Sequence, residues 1–500
     1  MSKTIDRDLK LNVLLGVLYQ AASVITNFIV KQAIRYQLGP DYLGLQTVYG
    51  NFCDLLIFAF AGVGIAMIFR LYAPIEQKNY ALAAAIFKYF DDLYRKFTLI
   101  AIAGGAVLTG LVLWSVDINL SVLRIVAGYY LYLAGVLVYN RYIHYNFFLM
   151  ANQKKYIACL IFIAGDLTGL ALELFALYAT HDYIWFLLCI LIKNALADAV
   201  FVVYTRRHYP YISEPARTLT SAEKRESVGD VKNMVITRVG NLLLYSTDSI
   251  LISGLISTAT AGLYSNYYFV SAGITNTVAA FFESIMSKIG QTIVRESPED
   301  QFRLYLKSCL INIGITLAAV NAFYFLAQDF ITLWMGSDLV LPEAVVVIAA
   351  ANLYMGCARM TANTFRQSAG LFARVSFVIL FRGIFNLALS VVLGLRLGLA
   401  GILIATTISD VTTVYWYEPL TVFRYYNKSF LIEIGYQALG LASVLLCVLI
   451  TGRIASNLKA TGWLMLVAKG LIIELPAAAV FAIVAAISCA AFKIKREKTK

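Results

Sequence analysis

About fourteen apolar stretches, most near twenty residues long, run from Leu9 to Phe492. A helix needs about 20 predominantly apolar residues to cross a hydrocarbon core about 30 Å thick. Stretches such as Leu99–Trp114, Tyr183–Val203 and Leu471–Phe492 have no use in a water-soluble chain of 500 residues. The sequence therefore specifies an all-α integral membrane protein, and its work is done across or within a bilayer. Composition agrees: 60% of residues are hydrophobic and 14% charged, against about 45–50% and about 25% in a soluble domain.

The expected spans lie near 9–34, 43–70, 97–115, 119–140, 155–179, 182–204, 231–255, 259–287, 303–327, 340–361, 373–394, 398–424, 432–451 and 463–492. Lys3, Arg7 and Lys10 precede the first span; no small-residue cleavage site follows Leu11–Val30, so that span is expected to stay. Basic residues then collect in alternate connections: Lys78 to Lys96, Arg141 to Lys155, Arg206 to Arg225, Arg295 to Arg303, Arg366 to Arg374, Arg424 to Lys428, and the Lys493–Lys500 tail. The intervening connections, Ser115–Asn119, Thr180–Asp182 and Ser257–Thr260, are short and nearly uncharged. Excess Lys and Arg stay cytoplasmic, so both termini are expected inside a cytoplasmic membrane. Most of the net charge of +12 is then topological and calls for no nucleic-acid partner. Lys78–Phe97 reads as an amphipathic helix lying along the inner surface.

The longest polar connection divides the chain. A six-helix lobe is expected over 1–204, a cytoplasmic linker over 205–230, a second six-helix lobe over 231–425, and two additional helices with a basic tail over 426–500. A weak internal repeat supports the division: Tyr42-Leu-Gly-Leu opens the second span of one half and Thr260-Ala-Gly-Leu that of the other. Halves of six spans share an orientation, so pseudo-two-fold symmetry about the membrane normal is expected.

A charge at the centre of a span costs about 2.5–3.5 kcal/mol even on the mild insertion scales. Lys31, Arg35, Arg70, Arg359 and Arg366 stand near span ends and either snorkel to headgroups or face a cavity. Arg238, Asn241 and Asp248 share the seventh span, and Asn241 and Asp248 are about two turns apart on one face. Asp54 sits in the second span. Lys31 and Arg238 occupy corresponding helices of the two halves. Facing one another across a cleft, these cations would favour an anion, phosphate above all, because guanidinium offers paired donors to its oxygens. Tyr264, Tyr267 and Tyr268 either anchor the membrane interface or contact a sugar face. There is no GxxxxGK[ST] loop. Energy is expected from ions, membrane potential or the substrate gradient, with Asp54, Asn241 and Asp248 as candidates for Na+ or H+ coupling and no other cofactor.

These residues support a resemblance. Leu38-Gly-Pro-Asp-Tyr-Leu-Gly-Leu45, Leu71-Tyr-Ala-Pro74, Ala151-Asn-Gln-Lys-Lys-Tyr-Ile157, Thr247-Asp-Ser-Ile-Leu-Ile-Ser253, Thr364-Phe-Arg-Gln367 and Trp416-Tyr-Glu-Pro419 occur in order and at spacings that resemble the Wzx-type flippases. These form the polysaccharide-transport branch of the multidrug/oligosaccharidyl-lipid/polysaccharide exporter superfamily. The resemblance implies two six-helix lobes around a central cavity, and transfer of undecaprenyl-diphosphate-linked oligosaccharide to the outer leaflet. It also implies contact with membrane lipids and with a polysaccharide polymerase and chain-length machinery. Two departures stand out: Phe60 and Gln367 occupy positions where relatives often carry an acid. A lipid II flippase and a drug/cation antiporter of the same superfamily are the alternatives. A membrane glycosyltransferase would need catalytic carboxylates in a sizeable outer loop, and the outer loops are short.

Overall fold

A computed structural model describes residues 2–213, 217–224, 247–369, 371, 373–455 and 458–497. It is 89% helical, with no strand among the described residues. Helices α1 (Ser2–Gln37), α2 (Pro40–Glu76), α3 (Tyr80–Ser115), α4 (Val122–Tyr142), α5 (His144–Ala151), α6 (Lys155–Thr180) and α7 (Tyr183–His208) come first. One turn, α8, covers 221–224, and α9 covers 247–255. Then follow α10 (Thr258–Arg295), α11 (Pro298–Met335), α12 (Glu343–Ala358), α13 (Met360–Ser368), α14 (Ala373–Thr412), α15 (Val414–Tyr425), α16 (Leu431–Ala455) and α17 (Trp463–Glu497).

Local chemistry sets the boundaries. Gly39, at φ 102°, turns the chain where α1 ends, and Pro40 opens α2 where its missing N–H costs nothing. Asn79 caps α3 by accepting from the Leu82 N–H at 3.1 Å, and Asp182 caps α7 by accepting from the Ile184 N–H at 2.9 Å. Gly336, at φ 103°, ends α11. Inside α14, Gly398 adopts φ 60° and breaks the helix between the two spans expected at 373–394 and 398–424.

Ten helical stretches among the described residues are long and apolar enough to cross a membrane, and the 51-residue stretch Val375–Tyr425 holds two of the expected spans. The outward surface fits this. Leu464, Val107, Leu123 and Phe175 are each more than 70% exposed, while carboxylates such as Glu173, Asp410, Glu418 and Glu433 are buried. That inversion is what a lipid solvent demands, since it rewards apolar exteriors and penalises unpaired polar ones. The protein is a multi-pass membrane protein.

One expectation is corrected. Lys78–Phe97 does not form a separate helix lying in the membrane plane; α3 runs unbroken from Tyr80 to Ser115. No Gly or Pro interrupts residues 80–103, so nothing stops the helix. The first turns are held by burial of Ala83, Ala84, Phe87 and Phe90, with the Phe87 ring edge-on to Tyr145 and Phe148 of α5 at 5.1 and 5.3 Å.

The chain divides into two compact units, Met1–Gly262 and Leu263–Lys500. In the first, α1 packs on α6, α6 on α7, α7 on α4, α4 on α3, α3 on α2 and α2 back on α1, which closes a ring. The 247–262 segment belongs to this unit and fastens to the end of α3. The Thr258 hydroxyl accepts from the Asp117 N–H at 2.7 Å, and the Ser253 hydroxyl donates to the Ser115 carbonyl. In the second unit α11 is the hub, packed against α12, α13, α16 and α17, with α14 against α12 and α15. Phe302, Tyr305, Phe365 and Phe423 form the centre of a buried cluster there.

Candidate functional site: a polar cavity inside the first unit

Within the ring lies a cavity of about 320 Å³, continuous in its lining with a second of about 220 Å³; both are walled by Tyr132, Asp166, Lys193 and Asn194. Each wall contributes polar groups from otherwise apolar helices: Tyr19 and Asn27 from α1, Asp54 from α2, Asn140 from α4, Glu173 from α6. Asp166 and Glu173 are seven residues apart, about two turns, and so share one face of α6. Lys193 of α7 crosses to Glu173 at 2.7 Å, a pair whose carboxylate side chain is 4% exposed. Gly169, on the turn between the two acids, makes room for the Lys193 stem, because a Cβ there would overlap it.

Three of the four lining amides, Gln46 being the fourth, are oriented by a bond to the backbone. Asn194 Nδ2 donates to the Gly135 carbonyl at 2.9 Å, Asn140 Nδ2 to the Val136 carbonyl at 2.9 Å, and Asn27 Nδ2 to the Ser23 carbonyl at 2.8 Å. A backbone carbonyl only accepts, so each amide nitrogen is committed to the helix and each amide oxygen is left for other partners. Across the two spaces the lining carries three carboxylates and four amides against one ammonium, and that ammonium is paired with Glu173. The cavity is rich in acceptors, which suits a cation or a donor-bearing ligand better than an anion.

The candidate residues named from the sequence fall into distinct places. Asp54 lines the cavity. Lys31 and Arg35 are half-buried, one turn apart on α1, and Arg70 is half-buried near the end of α2. Asp248 is buried in α9 at 6% exposure. Arg238 and Asn241 lie outside the described residues. In the second unit, Arg359 and Arg366 both face Glu418, at 3.2 and 3.5 Å, and Arg366 also donates to Asn363 at 2.6 Å. Tyr267 is buried, and its hydroxyl accepts from the Leu341 N–H at 3.1 Å; it anchors a loop instead of offering a ring to a sugar.

Sequence reading missed Asp166, Glu173 and Lys193. Asp166 and Glu173 are the two charges of one long apolar run and Lys193 stands in the next; the available signal was the seven-residue spacing on α6. It also missed the Arg382–Asp410 ion pair buried in the second unit.

No family model and no curated protein matches the sequence, but solved structures do. An inward-facing multidrug resistance MATE family transporter of the MOP superfamily aligns with a TM-score of 0.68 at 14% identity, over 80% of this chain and 93% of that one. The lipid II flippase MurJ, in an inward closed conformation, aligns with a TM-score of 0.62 at 12% identity, over 97% of this chain and 100% of that one. A Vibrio cholerae MATE transporter aligns with a TM-score of 0.58 at 16% identity, over 84% and 98%. At these identities the likeness is one of fold. The chain has the all-helical fold of MOP-superfamily transporters.

Proposed function

We propose that this protein is a flippase that carries undecaprenyl-diphosphate-linked oligosaccharide across the cytoplasmic membrane for capsule or cell-surface polysaccharide synthesis. The observation that carries the reading is coverage. The alignment with the lipid II flippase leaves only about 3% of this chain unmatched, so it takes in α16 and α17, whereas the inward-facing MATE alignment leaves 20% unmatched. A chain that keeps the two additional helices is better read as a handler of lipid-linked substrate than as a drug exporter. The organisation proposed is two six-helix lobes, 1–204 and 231–425, joined by 205–230 and followed by 426–500, with both termini cytoplasmic.

Lys31, Arg35, Arg70 and Arg238 are the cations we assign to the diphosphate. Two phosphates crossing hydrocarbon need neutralising charge; Lys31, Arg35 and Arg70 supply it near span ends at modest insertion cost, and Arg238 from within the expected seventh span. Arg359 and Arg366 share Glu418 and would meet a phosphate only by exchanging that carboxylate. The acceptor-rich cavity of the first unit is assigned to the coupling cation, Na+ or H+, with Asp54 and Asp166 as its ligands. The same cavity is the feature that favours the second reading, a cation-coupled drug exporter. A polymerase and chain-length machinery would take the product at the outer leaflet; no nucleic acid is involved.

Deletion of the gene separates the readings. Accumulation of undecaprenyl-linked oligosaccharide on the inner leaflet is expected, with restoration by the wild-type chain and not by Lys31→Ala or Arg238→Ala at equal protein level. Normal surface polysaccharide together with raised drug sensitivity would favour the exporter. Asp54→Asn is expected to change how export responds to ionophores.

A further inference from the structure

In the second unit α11, α12 and α16 enclose a space of about 20 Å³ that the flippase reading does not use. One water-sized particle fits a space of this size. Glu433, in the first turn of α16, is 1% exposed on its wall. Its carboxylate accepts from the Tyr305 hydroxyl at 3.0 Å and from Gln437 Nε2 at 2.7 Å. The Gln437 amide oxygen is occupied in turn by the Tyr415 hydroxyl at 2.5 Å. All of these donors are neutral.

Two other buried carboxylates described in this unit face fixed positive charge, Asp410 facing Arg382 and Glu418 facing Arg359 and Arg366, while half-buried Glu474 is not paired with a cation among the described ion pairs. Glu433 faces no such group among the described residues. Burial of a charge without a counter-charge costs several kcal/mol, and here a particle-sized space adjoins the charge.

The rest of the wall is mixed: Ile313, Val444 and Cys309 are apolar, and Asn312, Thr316 and Tyr354 bring further oxygen atoms. Asn312 Nδ2 donates to the Cys357 and Ala358 carbonyls at 3.1 and 2.8 Å. Those carbonyls only accept, so the amide orientation is fixed and Oδ1 stands on the opposite side, where it accepts from the Thr316 hydroxyl at 3.4 Å. Asn312, Thr316, Tyr354 and Glu433 all line the space. Hard cations take carboxylate, amide and hydroxyl oxygens. A single carboxylate balances a single charge, and the small volume selects a small ion.

We propose that this space binds one small monovalent cation of the sodium class, held by Glu433 with Asn312 and Thr316, and that the ion clamps α16 to α11. The test is thermal unfolding of the full chain in lipid nanodiscs, with sodium exchanged for choline at constant ionic strength. The wild type is expected to melt higher in sodium, with saturable dependence on its concentration. In an Asp54→Asn background, which removes any sodium bound in the first unit, Glu433→Gln, which keeps an acceptor for Tyr305, is expected to melt identically in both salts. Should Glu433→Gln fail to fold, Thr316→Val serves: its half-saturating sodium concentration is expected to rise several-fold. The sodium response is expected to survive in Asp54→Asn and Asp166→Asn, which separates it from the cavity of the first unit. Equal melting of the wild type in sodium and choline would mean that the space holds water only and would overturn the proposal. So would an undiminished response in Glu433→Gln in the Asp54→Asn background, an unchanged sodium midpoint in Thr316→Val, or loss of the response in Asp54→Asn.

Discussion

Gly44 lies against the backbone carbonyl of Thr258 so closely that a Cβ on it would overlap the carbonyl oxygen. Gly262 closes the same contact from the other side; a Cβ there would stand 2.7 Å from the Gly44 nitrogen and 2.9 Å from the Pro40 carbonyl oxygen. These two glycines occupy matched positions in the repeat that the sequence displays.

The obstacles at both positions are backbone atoms, which cannot swing aside as a side chain can. Gly44→Ala and Gly262→Ala are each expected to destabilise the protein by about 1–3 kcal/mol, the usual cost of overpacking. Gly273, in α10, has open space around its Cβ position. Gly273→Ala is therefore expected to be neutral or to stabilise, by up to about 1 kcal/mol from helix propensity. Thermal unfolding of purified variants checks this, and a Gly44→Ala variant that melts with the wild type would show that the contact is not kept in the membrane.

The Lys193–Glu173 pair joins α7 to α6 across the cavity. Lys193→Met leaves a buried carboxylate without its partner. Breaking a fully buried pair costs about 3–5 kcal/mol; the Lys193 side chain is 22% exposed, so about 1–3 kcal/mol is expected after allowance for solvent screening. Lys193→Met combined with Glu173→Gln is expected to regain most of the loss. A double-mutant cycle on stability reads the coupling directly, and additive losses would mean that the two charges act separately.

Asp182 has two jobs that can be separated. It caps α7 through the Ile184 N–H and faces Arg124 at 3.2 Å. Asp182→Asn keeps a capping oxygen and loses only a largely exposed ion pair, worth about 0–1 kcal/mol. Asp182→Ala loses the cap as well, for about 1 kcal/mol more. Comparison of the two melting temperatures checks the order; equal losses would assign the whole effect to the ion pair.

The helices and most of their ends are legible in the sequence because the chemistry of single residues sets them. Gly398 opens an expected span, and it is where α14 breaks. Gly39-Pro40, Asn79 and Asp182 act within a few residues of themselves, so the signals that place these ends are local. Partner choice is different. Arg359 and Glu418 are 59 positions apart, and nothing local to either tells a guanidinium that awaits a phosphate from one already matched to a carboxylate. Lys78–Phe97 misleads for a related reason. A basic amphipathic segment looks the same whether it lies on a membrane or forms the projecting end of a long helix, and only its packing on α5 decides. The cavity of the first unit is half legible: Asp54 stands out, while Asp166, Glu173 and Lys193 are diluted among apolar neighbours and acquire meaning only when the ring closes.

Two of the motifs that carry the family resemblance, Thr364-Phe-Arg-Gln and Trp416-Tyr-Glu-Pro, meet where Arg366 approaches Glu418 at 3.5 Å. If the two arginines serve mainly to neutralise Glu418, the loss order follows from charge balance. Arg366→Met leaves Arg359 facing the carboxylate at 3.2 Å and is expected to cost about 1–3 kcal/mol, within the range for a partly compensated buried charge. Glu418→Gln leaves two buried guanidinium groups facing each other and is expected to cost more than Arg366→Met. Glu418→Gln with Arg366→Met restores one charge against a neutral amide and is expected to fall between wild type and Glu418→Gln. Export should follow the amount of folded protein in all three. The measurement is surface polysaccharide normalised to folded protein in the membrane. An Arg366→Met variant that folds at wild-type levels yet exports nothing would move Arg366 from the scaffold to the substrate, and the diphosphate would then have to displace Glu418 during transfer.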